Sequence, residues 1–205
     1  MQVNIIFHSI HGHGYDMAQA IKMGVESVAN VTCGIYRVPE SNTEEILESM
    51  GAKENIKRFE HIPVADKKSL LEADGIVLGA PTYFGMPSGQ MVQYLNQFGD
   101  EWVNGSLVGK LGSSFTTSSE QNGGAETCLK QLHTFFYHQG MLIVSLPSSL
   151  NYPEMHIADK VVGGYCYGAS MVTGGLNDLN ISEEEQKICV LQGRHMAQMV
   201  KSMKR

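Results

Sequence analysis

Cations are scarce in this sequence, and so are the residues that staple small folds together. Lysine and arginine total 15 against 21 aspartates and glutamates, a formal charge of −6. That balance excludes bulk binding of a phosphate backbone, and with it nucleic acid as a partner. The four cysteines, Cys33, Cys128, Cys166 and Cys189, are widely spaced and include no C-x-x-C pair. Such spacing fits neither a disulfide framework nor a thiol redox motif, and predicts four reduced core thiols in a cytoplasmic protein. No stretch approaches the ~18 apolar residues of a membrane span, so no membrane insertion is expected. Residues 1–7 carry no basic region of the kind that opens a signal peptide. Glycine is plentiful instead, at 22 residues, but without the three-residue period of collagen. A hydrophobic share of 42% is enough for a core. At about 150 residues per domain, the length predicts one domain, residues 1–205, with insertions near 41–63 and 147–181.

Apolar runs alternate with amphipathic stretches. Residues 3–7 are a short, mainly apolar run without polar alternation, as expected of a strand covered on both faces, and Ala18, Ile21, Val25 and Val28 then recur at helical spacing. Residues 31–38 read as strand two, 75–79 as strand three, 111–116 as strand four and 141–146 as strand five. Helices are predicted over 43–50, 67–72, around Met91, Tyr94, Leu95 and Phe98, and over 127–138. Residues 147–181 form a long Gly- and Tyr-rich excursion without clear periodicity, a length that marks a functional or interface segment. Ser182-Glu183-Glu184-Glu185 is a capping box opening a last helix whose buried stripe is Cys189, Gly193, Met196, Val200 and Met203. Five strands alternating with helices imply an α/β fold with a parallel sheet covered on both faces. Ligands in such sheets sit beyond the carboxyl ends of the strands, at the topological switch point.

Three loops lie at those ends. The first is Ser9-Ile10-His11-Gly12-His13-Gly14, opening a helix. A helix N-terminus reached through two glycines is an anion site. The first basic side chain in the chain is Lys22, so a phosphate here would be held by neutral donors. The P-loop pattern is absent. Gly12-x-Gly14-x-x-Met17 lacks the third small residue of a dinucleotide fingerprint. His8, His11 and His13 match no zinc spacing, so no metal site is predicted, and the imidazoles read as polar contacts of a turn. The second loop, Pro81-Thr82-Tyr83-Phe84-Gly85-Met86-Pro87-Ser88-Gly89, offers hydrogen-bonding groups and two adjacent aromatics, which suit a flat heteroaromatic ring. The competing reading makes Phe84 a plug of the core. The third loop, from Thr116 to Gly124, is polar and glycine-bearing; its N–H groups can reach the edge of such a ring, though any solvated loop has the same composition. One phosphate nest and two ring-holding loops describe a mononucleotide with a flat aromatic head. FMN in a flavodoxin-like fold, strand order 2-1-3-4-5, fits better than NAD in a Rossmann fold.

Together, Ser9-Ile10-His11-Gly12-His13, the run Gly79-Ala80-Pro81-Thr82-x-Phe84-Gly85 with Ser88-Gly89-Gln90-Met91, and Gly163-Gly164-Tyr165-Cys166-Tyr167-Gly168-Ala169 resemble the WrbA-type flavoproteins. The resemblance covers essentially the whole chain, including Trp102, Leu107-x-Gly109-Lys110 and Gly140-Met141. It implies an FMN-dependent NAD(P)H:quinone oxidoreductase, flavodoxin-like in fold and a homotetramer, a dimer of dimers. By position it places the FMN phosphate on Ser9, Ile10, His11, Gly12, His13 and Gly14. It places the isoalloxazine on Pro81, Thr82, Tyr83, Phe84 and Gly85, and its pyrimidine edge and ribityl chain on Thr117, Ser118, Ser119, Glu120, Gln121, Asn122 and Gly123. His138 matches the family histidine that reaches the flavin across a subunit boundary. Trp102 matches the tryptophan that roofs the substrate cavity, and His11 stands where the family has an aromatic near the nicotinamide. The ordinary readings of Trp102 as core packing and of His138 as a satisfied buried histidine stand beside these. Tyr83 stands where the family has arginine, and His11 and Pro87 are further departures. Losing that cation alters how a reduced, anionic flavin is stabilised.

The expected chemistry is hydride transfer from NAD(P)H to the flavin, followed by two-electron reduction of a quinone on the same face, a ping-pong order. Two alternatives belong to other classes: a flavodoxin-like electron carrier, and a non-catalytic partner-binding flavoprotein.

Overall fold

The computed structural model describes residues 1–150, 160–164 and 166–203; Tyr165 of the family-like run and residues 151–159 of the excursion lie outside them. Strand β1 (Gln2–Phe7) leads into helix α1 (His13–Glu26) and strand β2 (Thr32–Arg37). Three short helices follow, α2 (Glu44–Ser49), α3 (Lys53–Lys57) and α4 (Lys67–Leu71). Then come strands β3 (Gly75–Tyr83) and β4 (Met86–Pro87), helices α5 (Gly89–Leu95) and α6 (Gly99–Val103), strand β5 (Leu111–Ser118) and helix α7 (Ala125–His138). Strands β6 (Leu142–Ile143) and β7 (Gly168–Val172) and helix α8 (Glu183–Met203) complete the order.

The parallel sheet runs β2-β1-β3-β5-β6, the expected crossover at β1 and β3. Val3 pairs Cys33 on one side and Gly75 on the other, and Gly75 pairs Leu111. Side chains alternate between two cores because the strands are covered on both faces. Ile5, Phe7, Val77 and Phe115 pack with α1 and α8. Ile6, Ile76 and Leu78 pack with Met91, Tyr94, Leu132 and Phe136 of α5 and α7.

The fifth strand position departs from the sequence reading. Residues 141–146 supply only β6, which pairs Leu111 and Gly112 at the start of β5. The rest of β5, from Ser114 to Ser118, is paired by β7, from inside the excursion. Gly-Ala-Ser-Met-Val shows no apolar run, and tertiary partners make it a strand. Gln192 of α8 accepts the Ala169 N–H through Oε1 at 2.8 Å and donates to the Ser114 carbonyl at 2.8 Å. Buried Glu185 accepts the N–H groups of Gly163 and Val172 at 3.1 and 2.9 Å, while its other oxygen accepts the Ser182 N–H at 3.0 Å, as the capping box requires. Met203, expected in the buried stripe of α8, is exposed. Cys128 and Cys189 are core thiols, but Cys33 is half-buried and Cys166 exposed, which corrects the expectation of four. No helix among the described residues is long and apolar enough to cross a membrane.

Candidate functional site

The carboxyl ends of β1, β3 and β5 open into a cleft of about 730 Å³, within the roughly 300–1,000 Å³ typical of small-molecule sites. Ser9, Ile10, His11 and His13 form one wall; Pro81, Thr82, Tyr83, Phe84 and Gly85 form a second; Thr117, Ser118, Ser119, Glu120, Asn122 and Gly123 form a third. Three separate strand ends thus converge as the sequence predicts. Gly12, Gly14 and Gln121 complete these loops without lining the cleft.

The first wall is one tight turn. Ser9 Oγ accepts the N–H groups of Gly12 and Gly14 at 3.1 and 3.2 Å, curling the backbone into a cup before α1 begins. Gly12, the N-cap, has φ 92° and no side chain of its own, so Ser9 takes over part of the capping through the Gly14 N–H at the positive end of the helix. The first helical bond runs from the Asp16 N–H to the Gly12 carbonyl at 3.0 Å. Burial holds His11 below its ordinary value. Burial does the same for His13, reinforced by His11 and opposed by Asp16 and the Leu179 carbonyl. Both imidazoles are therefore neutral at pH 7. The expectation that neutral donors alone surround this turn needs correcting: a Cβ on Gly12 would meet Nη1 of Arg58 at 2.5 Å.

The ring walls are built differently. Thr82 pairs Pro87 and Tyr83 pairs Met86, leaving Phe84 and Gly85 as a two-residue turn with φ 55° and 82°. Positive φ at both positions is the type I′ pattern, which favours Asn-Gly. Phe84 is 98% exposed, so the reading of it as a core plug is overturned. Gly124 has φ 88°, and a Cβ there would come within 2.7 Å of the Gly85 Cα; the second and third walls touch glycine to glycine. Gln131 secures this contact by donating to the Gly85 carbonyl at 2.9 Å.

A hydrogen-bonded carboxylate joins the two ends. Glu40 meets His8 Nε2 at 3.1 Å, accepts Gln90 Nε2 at 2.7 Å and accepts the N–H groups of Ser41 and Asn42 at 2.8 Å. Burial alone would raise its carboxyl, but the hydrogen bonds from His8, Asn42 and Gln90 outweigh that and bring it to about 2. Burial, then the Glu40 charge, pushes the Tyr83 phenol above its ordinary value, so Tyr83 presents a neutral O–H to the cleft.

Four cleft residues escape the sequence reading: Met50, Thr127, Thr173 and Asn177. Thr173 and Asn177 come from just beyond β7, where the Thr173 N–H donates to the Ser118 carbonyl at 2.8 Å and its hydroxyl meets Asn177 Oδ1 at 3.0 Å. The length of the excursion was the available signal; Met50, a lone apolar residue closing a short helix, offered none. Trp102 lies exposed on α6 and His138 exposed at the end of α7, and neither lines the cleft of its own chain. No metal-binding group of three His, Cys, Asp or Glu side chains occurs among the described residues.

The donor set fits FMN. The cup gathers backbone N–H groups at the positive end of a helix, which a phosphate would occupy. The Thr82 hydroxyl is buried at the ring walls, with the weakly bonding Cys128 thiol beside it and no nitrogen or oxygen partner among the described residues, a group that a ligand edge would satisfy.

Residues 12–151 match a family model described as NADPH-dependent FMN reductase. The chain is 42% identical to an NAD(P)H dehydrogenase (quinone) of Aromatoleum aromaticum over 207 residues, covering 100% of this chain and 98% of that protein. It is 43% identical to a protein of the same name from Syntrophobacter fumaroxidans, covering 100% of both. Among solved structures it is similar to a WrbA-like flavodoxin from Agrobacterium tumefaciens, with a TM-score of 0.65 and 20% identity over 98% of each chain. It is also similar to flavodoxin 1 from Bacillus cereus, with a TM-score of 0.60 and 15% identity over 97% of this chain and 98% of that one. These last two likenesses establish the flavodoxin-like fold.

Proposed function

The chain belongs to the NADPH-dependent FMN reductase family, and from that premise we propose that it is an FMN-dependent oxidoreductase carrying two electrons, as hydride, from NAD(P)H to a quinone. The observation that carries this reading is the convergence of a glycine cup at a helix N-terminus and two further loops in a single cleft. When bound, FMN would supply the hydride-transfer chemistry of the reaction. The protein binds, orients and partly desolvates. The turn from Ser9 to Gly14 holds the phosphate through backbone donors and the helix end. Thr82, Tyr83 and Phe84 would contact the ring, and Thr117 to Gly123 would take its polar edge and the ribityl chain. Neutral Tyr83 supplies a dipole where the family pattern has a fixed cation, so the negative charge of a reduced ring meets weaker stabilisation there.

We also propose that the chain is a homotetramer, a dimer of dimers. Phe84, Trp102, Val103 and Tyr137 are 98%, 56%, 75% and 69% exposed, large apolar side chains that association would cover. We assign Trp102 and His138, which lie away from the cleft of their own chain, to the roof and edge of a neighbouring protomer's cleft. The scattered free thiols support a cytoplasmic location.

The test is anaerobic. The FMN-loaded protein should lose its yellow absorbance on adding NADH or NADPH and regain it on adding one equivalent of a benzoquinone. Bound FMN that neither dinucleotide bleaches would sink the oxidoreductase reading and leave the electron carrier in its place.

A further inference from the structure

Residues 1–21 contain no lysine or arginine, yet the fold brings a cation to the phosphate end of the cleft. Arg58 follows α3 directly and reaches the first turn of α1. Its Nη2 lies 2.6 Å from Asp16 Oδ1, its guanidinium carbon lies 5.9 Å from the centroid of the Tyr15 ring, and Nη1 stands against the face of Gly12 where a Cβ would project. Ring packing sets this position. Phe59, the next residue, is buried; it stacks on Tyr15 at 5.6 Å and 27° and meets Phe7 edge-on at 5.9 Å. His61 stands edge-on to Tyr15 at 6.4 Å. The segment after α3 is thus clamped to the start of α1 by a run of rings.

Asp16 gives this cation a task. A carboxylate in the first turn suits the helix dipole, but it opposes any second anion bound at the same helix end. A phosphate in the cup would meet that repulsion within one turn, and Arg58 is paired with the offending side chain.

We propose that Arg58 is a specificity-determining residue for the cofactor phosphate: by neutralising Asp16 and backing Gly12 with positive charge, it makes the cleft prefer FMN to riboflavin. The inference rests on the FMN reading above. The Arg58 side chain is 47% exposed, so its field acts partly through solvent and is screened by salt.

The experiment titrates the FMN-free protein with FMN and, separately, riboflavin, following flavin fluorescence at low and high salt. Wild type is compared with Arg58→Gln, Arg58→Lys and the double variant Asp16→Asn with Arg58→Gln. Arg58→Gln should weaken FMN about tenfold and riboflavin less than about twofold, a difference of the size expected for one nearby charge. Arg58→Lys should fall between, the double variant should recover part of the loss, and Arg58→Gln should flatten the salt dependence. Equal losses for both flavins, with a lowered melting midpoint, would mark Arg58 as merely structural and overturn the proposal. So would wild-type FMN affinity in Arg58→Gln. Failure of wild type to bind FMN at all would instead overturn the cofactor reading, and the Arg58 proposal with it.

Discussion

At the phosphate end of the cleft, a single turn from Ser9 to Gly14 carries the wall, and its one position at positive φ is a glycine. At the ring end, two loops distant in sequence meet at Gly85 and Gly124, and the position held at positive φ beside Gly85 is a phenylalanine. The first region is local, mostly buried and internally bonded through Ser9. The second is long-range, exposed and retains an unfavourable backbone conformation. A phosphate is bound by backbone geometry, which one turn can supply. A flat ring needs side-chain surface on two sides, and surface presented to a ligand is by construction unburied in the chain alone. Strain at Phe84 has the character of a functional constraint: the turn would form more easily with asparagine, whose side chain lacks the ring surface.

The largest expected effect is at the phosphate end. Gly12→Val would add a β-branched side chain at φ 92° and drive it into Arg58. FMN affinity should fall by about 3 kcal/mol, roughly 100-fold, measured by fluorescence titration of the FMN-free protein. Near-normal affinity would show that the cup does not depend on this backbone geometry.

The Glu40 carboxylate between the two ends comes next. Glu40 is depressed from 4.5 to about 2 in the folded chain. Its contribution is therefore fully present above pH 4.5 and disappears as pH falls through the folded value. In urea titrations Glu40→Gln should cost about 2 kcal/mol at pH 7. The stabilities of variant and wild type should converge as the pH approaches about 2; a gap that stays constant with pH would contradict an ionised Glu40.

The smallest effect has opposite signs for stability and for binding. Phe84→Asn should stabilise the chain by about 1 kcal/mol, because asparagine tolerates the left-handed region, while weakening FMN binding. Urea midpoints and flavin titration on the same sample separate the two. A variant that loses stability would mean that Phe84 serves the fold rather than the ring.

Legibility in the sequence followed the range of the forces involved. The first wall was readable because Ser9, Gly12 and Gly14 act within a single turn and their chemistry is visible in order. The ring loops were readable as loops, but the sequence does not disclose that Phe84 points outward, since an aromatic between two strands reads equally well as core. Gly-Ala-Ser-Met-Val was unreadable as β7: its pairing depends on Gln192 and Glu185, which arrive from α8. Thr173 and Asn177 were missed for the same reason, since they reach the cleft only once β7 is seated beside β5.

The sequence by itself determined the alternating α/β plan, the three loops at strand ends and the glycine cup, because hydrophobic periodicity and turn chemistry are local. Only the tertiary structure decided that the fifth strand position is shared by two segments, that an acidic chain with no early cation keeps Arg58 beside its phosphate cup, and that Trp102 and His138 stand away from their own cleft. Charge and burial act through space over several ångströms without regard to chain separation. A shortage of cations along the first twenty residues therefore says nothing about which cation the fold will place there.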